Sequence, residues 1–297
     1  MLGGGPVTLM RVRLESDISR SANNAFHRPS PGFAMRVTFL GTGAAMPTGR
    51  RAQTGLLVES GDDRVLVDCG SGVLNALART DAGYEGVSTV LLTHHHLDHV
   101  ADLLPLMKAR WLAGEEHLEV VGPQGTKELL DGLLSVHEYM DGRIDLRVRE
   151  VGPESFELAG FSVDATETRH SMYCLAYRFT HENGAEGESE ADDDSEPPAF
   201  TFGADSEAFE GLANFADGSA VLAHDCSFPD EVDVSNHPTP SQLGTTLADS
   251  GTELGRVYLT HLYPHTEGRH EEMLESIGER YDGDVRFARD GLTVEIE

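Results

Sequence analysis

The stretch VLLTHHHLDHVADL, residues 90–103, packs four histidines and an aspartate into six positions, between an apolar β-branched run and a segment of helical period. A polar cluster at a strand end is costly to bury unless its members share a partner. Imidazole and carboxylate together suit Zn, Mn or Fe, and a loop leaving a strand can aim alternate side chains at one point. The spacing assigns His94 and His96 to one cation and Asp98 and His99 to another, with His95 turned away. A purification tag would carry no Asp, no Leu and no flanking strand and helix.

Working outward, Gly-Asp-Asp at 61–63 marks a hairpin between TGLLVES and DRVLVDCGSG, and MRVTFLGTG at 35–43 supplies the strand before them. After the histidines come the helical HVADLLPLMKARWLAG, the strand LEVVGP and the helix GTKELLDGLLSVHEYM. The second half repeats this grammar: strands at FELAGFSVDATETRH, CLAYRFT, AFTFGAD, AVLAHDC and RVYLTH, helices at TPSQLGTTLADS and GRHEEMLESIGERY. Residues 1–34 lack any sustained period and read as a disordered leader, or as sequence upstream of the true start at Met35. HENGAEGESEADDDSEPP, ending at 198, has no apolar residue except alanine, so 182–198 reads as a flexible acidic loop within a hydrolase domain spanning 35–297.

Composition narrows the function classes. Asp+Glu 51 against Lys+Arg 22 gives a formal net charge of -29, and Lys108 and Lys127 are the only lysines. Such a surface suits concentrated salt, where a Debye length of about 3 Å at 1 M screens self-repulsion, and it marks the chain as halophilic. It also repels nucleic acid, which is normally gripped by a basic track. No apolar run is long enough for a membrane span and no secretory signal opens the chain, so a cytoplasmic location is expected. Cys69, Cys174 and Cys226 lack CxxC spacing and read as buried, reduced thiols. His117, His137, His181 and His270 have no ligand context and read as surface residues.

The HxHxDH spacing of 94–99 resembles the signature of the metallo-β-lactamase fold, and the resemblance extends from Met35 to the C-terminus. It implies an α/β fold in four αββα layers with mostly antiparallel or mixed sheets. VLVDCGSG resembles the family's first motif and implies that Asp68 braces the metal loop. His170 in ETRHSMYCLAYR, Asp205 in TFGADSEAF and His261 in VYLTHLYPH fall at the third histidine, the bridging aspartate and the final histidine. The implied site holds one ion on His94, His96 and His170 and the other on Asp98, His99 and His261, with Asp205 between them.

TFLGTGAAMPTGRRAQTGLLVES is similar to the opening of the ribonuclease Z branch. By their charge, Arg50 and Arg51 within it read as phosphate contacts or, equally, as salt-tolerant surface arginines. AHDCSF resembles that branch's histidine-acid motif, placing His224 and Asp225 behind the ligands, with aspartate where the branch has glutamate. NHPTPSQLGTTLA implies His237 as proton donor to the leaving oxygen, although Pro238 and Pro240 replace the usual small polar neighbours. Asp98 and His237 are thus the residues expected to act in catalysis. The long basic arm with which such enzymes grip tRNA is replaced here by the acidic run. VDCGSGVL, HLDHVADL and LTHLYPH also look like small-molecule phosphodiesterases, including those of cyclic nucleotides. The expected function is a binuclear hydrolase, with zinc preferred and manganese the alternative. A metal-bridging hydroxide attacks a small or cyclic phosphodiester, as expected for two ions about 3.5–4 Å apart. The rivals are tRNA 3′-end cleavage and thioester or lactam hydrolysis. The resemblance allows a homodimer, to which no residue points.

Overall fold

The computed structural model describes residues 35–181, 197–232 and 234–297. The expected leader, 1–34, and most of the expected acidic loop, 182–196, lie outside the described residues.

The chain opens as a meander of β1 (Met35–Gly41), β2 (Gly55–Ser60) and β3 (Asp63–Val67), the last turn made by Gly61 at φ 58°. It continues through α1 (Val73–Leu77), β4 (Thr89–Leu91), α2 (Leu97–Val100), α3 (Leu103–Ala113), β5 (His117–Gly122), α4 (Thr126–Val136) and β6 (Asp145–Glu150). Strands then alternate with helices again: β7 (Ser155–Leu158), β8 (Phe161–Glu167), β9 (Leu175–Thr180), β10 (Ala199–Phe202), α5 (Glu210–Phe215) and β11 (Ser219–Asp225). The chain closes with α6 (Pro240–Ser250), β12 (Arg256–Thr260), α7 (His270–Gly278), β13 (Asp284–Phe287) and β14 (Leu292–Ile296).

Two seven-stranded sheets result, ordered β14-β1-β2-β3-β4-β5-β6 and β13-β12-β11-β10-β9-β8-β7. In each, strands joined through helices pair parallel, because a parallel neighbour needs a crossover, and the other three pairings are antiparallel. The sheets are therefore evenly mixed. β14 returns to the first sheet beside β1, pairing Val37 with Val294.

Period-2 alternation sorts side chains into layers. In β2, Leu56 and Val58 join Phe39, Tyr177, Phe179 and Phe200 in the core between the sheets. Leu57 points outward to meet Leu66, Leu103, Leu106 and Leu130. The far face of the second sheet packs Leu222, Val257 and Leu259 against Leu243, Leu247 and Ile277. The four αββα layers follow from these three cores. The three cysteines are buried as expected. His181 departs from expectation: it is buried, packed against Phe161 with Nε2 3.2 Å from Asp63 Oδ2, because it follows β9 directly and meets the first residue of β3. Among the described residues no helix is long and apolar enough to cross a membrane.

The sheets position the site through their carboxyl ends. Asp68 and His261 follow β3 and β12 directly, Ala204 lies two residues beyond β10, and all three hold left-handed backbone, with φ of 58°, 57° and 53° in that order. Non-glycine residues rarely adopt this conformation, and its cost is tolerated where it aims a functional side chain.

Candidate metal centre

The loop after β4 carries His94, His96, Asp98 and His99, the last two on the single turn of α2. Against it come His170 from the segment after β8, Asp205 after β10 and His261 after β12. His96 Nδ1 lies 3.0 Å from His94 Nε2 and 3.1 Å from His170 Nε2. Tetrahedral bonds of about 2.0–2.1 Å would separate donor atoms by about 3.3 Å, so this trio is spaced for one small cation. Asp98 Oδ2 is 3.2 Å from His261 Nε2 and 3.8 Å from His99 Nε2. Asp205 faces both groups: Oδ1 is 3.4 Å from His99 Nε2, and Oδ2 is 3.1 Å from His261 Nε2 and 3.8 Å from His94 Nε2. All seven residues named from the sequence are thus brought together, and His94, His96, His170 and Asp205 form one potential ligand set while Asp98, His99 and His261 form another.

Two buried atoms in this cluster, His99 Nε2 and Asp205 Oδ1, have no hydrogen-bond partner. Leaving such atoms unpaired is expensive, and a divalent cation between them would satisfy both. Burial drives the His94 imidazole well below its ordinary pKa, with His99 adding repulsion, so it presents a lone pair. Burial would raise the Asp205 carboxyl, but His261 and His99 outweigh it and hold the group well below the usual range, keeping it anionic. His94 neutral and Asp205 ionised are the donor states a metal requires, whereas burial would lower the His99 pKa but Asp205 and Asp68 outweigh it and hold it well above its ordinary value, so His99 would release a proton on taking up an ion. The residues fit bound divalent metal.

Behind these donors stands a supporting tier. The Asp68 carboxylate accepts the Thr93 N–H at 2.8 Å, the Thr93 hydroxyl at 2.8 Å and His99 Nδ1–H at 2.7 Å. That last bond places the His99 proton on Nδ1 and frees Nε2. His95 turns away as expected, with Nε2 2.8 Å from Thr126 Oγ1. On the opposite flank, Ser227 Oγ lies 3.0 Å from His261 Nδ1 and donates to Asp225 Oδ1 at 2.6 Å. The other Asp225 oxygen accepts His237 Nδ1–H at 2.6 Å. Burial would lower the His237 pKa, but Asp225 overrides it, followed by Asp205 and Asp98, and raises it to about 9. A chain of hydrogen bonds therefore ties His261 to His237 through Ser227. Ser227 was not among the residues singled out from the sequence, although it lies in the AHDCSF motif.

Other expected contributors are placed differently. His224 Nδ1–H donates to the Asp225 carbonyl at 2.7 Å at the end of β11, and among the described residues it makes no hydrogen bond to any of the seven. Arg51 is committed to structure: its guanidinium donates to Thr42 Oγ1 at 2.5 Å and to the Ala288 carbonyl at 2.9 Å. Arg50 is exposed. Among the described residues neither arginine bonds to any of the seven. Cys174 Sγ lies 3.7 Å from His94 Nδ1, packed behind that ligand.

Residues 35–278 match the family described as Anti-Pycsar protein Apyc1. The chain belongs to that family. This Apyc1-family chain is also 28% identical over 306 residues to a ribonuclease Z of Haloferax volcanii, covering 89% of this chain and 95% of that protein. It is 28% identical over 272 residues to the probable metallo-hydrolase YhfI of Bacillus subtilis, covering 88% and 100% of the two. The solved structure of YhfI superposes with a TM-score of 0.71 at 25% identity, covering 88% of this chain and 99% of that one. The human short-form tRNase Z superposes with a TM-score of 0.68 at 20% identity, covering 88% and 99%, a likeness of fold. The Apyc1-family chain is thus a metallo-hydrolase of the metallo-β-lactamase superfamily, in its ribonuclease Z-like branch.

Proposed function

We propose that the protein is a binuclear metal-dependent phosphodiesterase acting on a small or cyclic phosphodiester, with zinc preferred over manganese. The observation that carries this reading is the convergence of seven donors around two unpartnered buried atoms, with a histidine–aspartate pair beside them. His94, His96 and His170 would hold one ion and Asp98, His99 and His261 the other, with Asp205 shared. When bound, the ions supply Lewis acidity, lowering the pKa of the attacking water and drawing charge from the phosphoryl oxygens.

The chain's own residues do the rest. Asp68 and Ser227 fix the tautomers of His99 and His261, so both present Nε2 to the centre. His237, raised to about 9 by Asp225, is protonated at neutral pH and is the general acid for the leaving oxygen. A general acid contributes typically 10²–10⁴-fold when the leaving group is a poor one such as an alkoxide.

A second reading, tRNA 3′-end cleavage, is favoured by the relatives named ribonuclease Z. Charge opposes it: a chain of net charge -29, with an acidic run between His170 and Asp205, has the wrong sign for an RNA clamp. In molar KCl with zinc or manganese, the protein should turn over bis(p-nitrophenyl) phosphate and cyclic nucleotides and leave precursor tRNA intact. Cleavage of the tRNA with no turnover of the small esters would reverse the assignment. His237→Ala should slow cyclic-nucleotide hydrolysis at least about 100-fold while barely changing p-nitrophenyl ester hydrolysis.

A further inference from the structure

A cavity of about 850 Å³ is lined from β1, β14, the 47–53 turn and the stretch 71–81 that holds α1, and it shares no residue with the metal cluster. Its volume lies in the range of about 300–1,000 Å³ that suits small ligands. Four arginines, Arg36, Arg50, Arg51 and Arg79, face three carboxylates, Glu59, Asp81 and Asp290. Two of each sign are already committed. Glu59 accepts from Arg36 at 2.9 Å and from Arg64 at 3.2 Å. Asp290 accepts the Thr42 N–H, the Thr42 hydroxyl and the Ala52 N–H, while Arg51 donates to Thr42 Oγ1 and the Ala288 carbonyl.

Arg50, Arg79 and Asp81 remain, all exposed. Neither guanidinium makes a hydrogen bond or ion pair among the described residues, and the same holds for the Ser71 hydroxyl and the Asn75 carboxamide beside them. The uncommitted lining is therefore net positive, in a chain of net charge -29. Elsewhere the excess of acid claims its arginines, as where Arg256 and Arg286 bond Asp284 and Arg269 bonds Glu231. Two guanidinium groups left open in one cavity repel each other, and an anion between them removes that cost. Each is a planar fork of donors that matches phosphate oxygens two at a time. A phosphomonoester brings three acceptor oxygens and nearly two charges, enough for both forks. A polyanion such as RNA would carry further phosphates onto the acidic surface outside the cavity, which selects a small molecule.

We propose that this cavity is a second binding site, separate from the metal centre, for a small organic phosphomonoester. Arg50 and Arg79 grip the phosphate, and Ser71 and Asn75 meet the polar body that carries it. The site stands independently of the phosphodiesterase reading, since none of its residues serves the metal centre.

Protection of arginines from chemical modification locates the ligand directly. The zinc-loaded full chain is treated with phenylglyoxal in about 0.5 M KCl, where the Debye length is roughly 4 Å and direct contacts outlast screening. Peptide mass mapping gives the modification rates of Arg50 and Arg79 and, as references outside the cavity, of the exposed Arg147 and Arg280. Glucose 6-phosphate at tens of millimolar should slow Arg50 and Arg79 at least about five-fold, as a millimolar Kd requires, and leave both references unchanged. Glucose, which lacks the phosphate, should protect neither. Combining Arg50→Ser with Arg79→Ser should weaken calorimetric binding of glucose 6-phosphate at least about ten-fold. Combining Arg147→Ser with Arg280→Ser, an equal change of charge, should leave it as in wild type, and thermal denaturation verifies that both double variants fold. Unchanged rates at Arg50 and Arg79, equal protection by glucose, or equal affinity in the two double variants overturns the proposal.

Discussion

Replacing Asp68 by asparagine removes one charge from beneath the histidine loop and changes little else. The backbone there is left-handed, which asparagine tolerates well, so conformational strain does not confound the result. The carboxylate accepts three hydrogen bonds, through Oδ1 from the Thr93 N–H and through Oδ2 from the Thr93 hydroxyl and His99 Nδ1. An amide has only one accepting oxygen. If its NH₂ faces the Thr93 N–H, two buried donors confront each other at a cost of about 1–3 kcal/mol. If the NH₂ takes the place of Oδ2, it can donate to His99 Nδ1 only after that nitrogen surrenders its proton to Nε2. A protonated Nε2 has no lone pair to offer. Asp68→Asn should therefore weaken one divalent ion by about 10–100-fold. That is roughly 1.4–2.7 kcal/mol. A competition titration against a chromogenic chelator measures the affinity, metal content after desalting gives the stoichiometry, and denaturation in EDTA confirms the fold. Two ions held at wild-type affinity would refute the tautomer argument.

Other substitutions and conditions probe neighbouring links. Ser227→Ala deprives His261 Nδ1 of its acceptor and Asp225 of a donor, so ion affinity should fall by about ten-fold or more and Ser227→Thr should restore it in the same titration. In EDTA, His237 contributes stability because its folded pKa, about 9, exceeds its unfolded value near 6.5. That contribution is complete below about pH 6.5, is lost as the pH rises through 9, and is worth about 2–3 kcal/mol at most. The urea-denaturation gap between wild type and His237→Gln should accordingly close across that window; a gap that widens with pH contradicts the ion pair. Thermal midpoints should climb steadily from about 0.1 to 2 M KCl as the Debye length contracts from about 10 Å to below 3 Å, and a flat profile would remove the case for a salt-adapted surface.

The histidine loop was legible because its donors are neighbours in sequence, so spacing alone set out two half-sites. His170, Asp205 and His261 were legible only through resemblance to known motifs. Each is a single polar residue after a strand, and nothing local separates a ligand from a structural histidine. Ser227 escaped notice because a serine announces a role only once its partners surround it. The fold was read least well at its edges. β6 and β13 alternate exposed and half-buried positions, which blurs their period, and β14 gains its identity from pairing with β1 at the far end of the chain. His181 was misread for a similar reason, since its burial depends on Asp63, which lies 118 positions away. The arginines of the 47–51 turn were read for their charge, whereas Arg51 is consumed by backbone and hydroxyl contacts that composition does not reveal.

The division of donors between the sheets bears on how the protein matures. One sheet's β4 loop delivers four of the seven and the other sheet's strand ends deliver three, so a half-synthesised chain owns only fragments of each cage. Capturing a cation firmly must therefore wait until both halves have docked. Ion occupancy would then report that assembly is complete, and a pulse of chelator during refolding would distinguish unfinished molecules from finished ones by which of them surrender their metal.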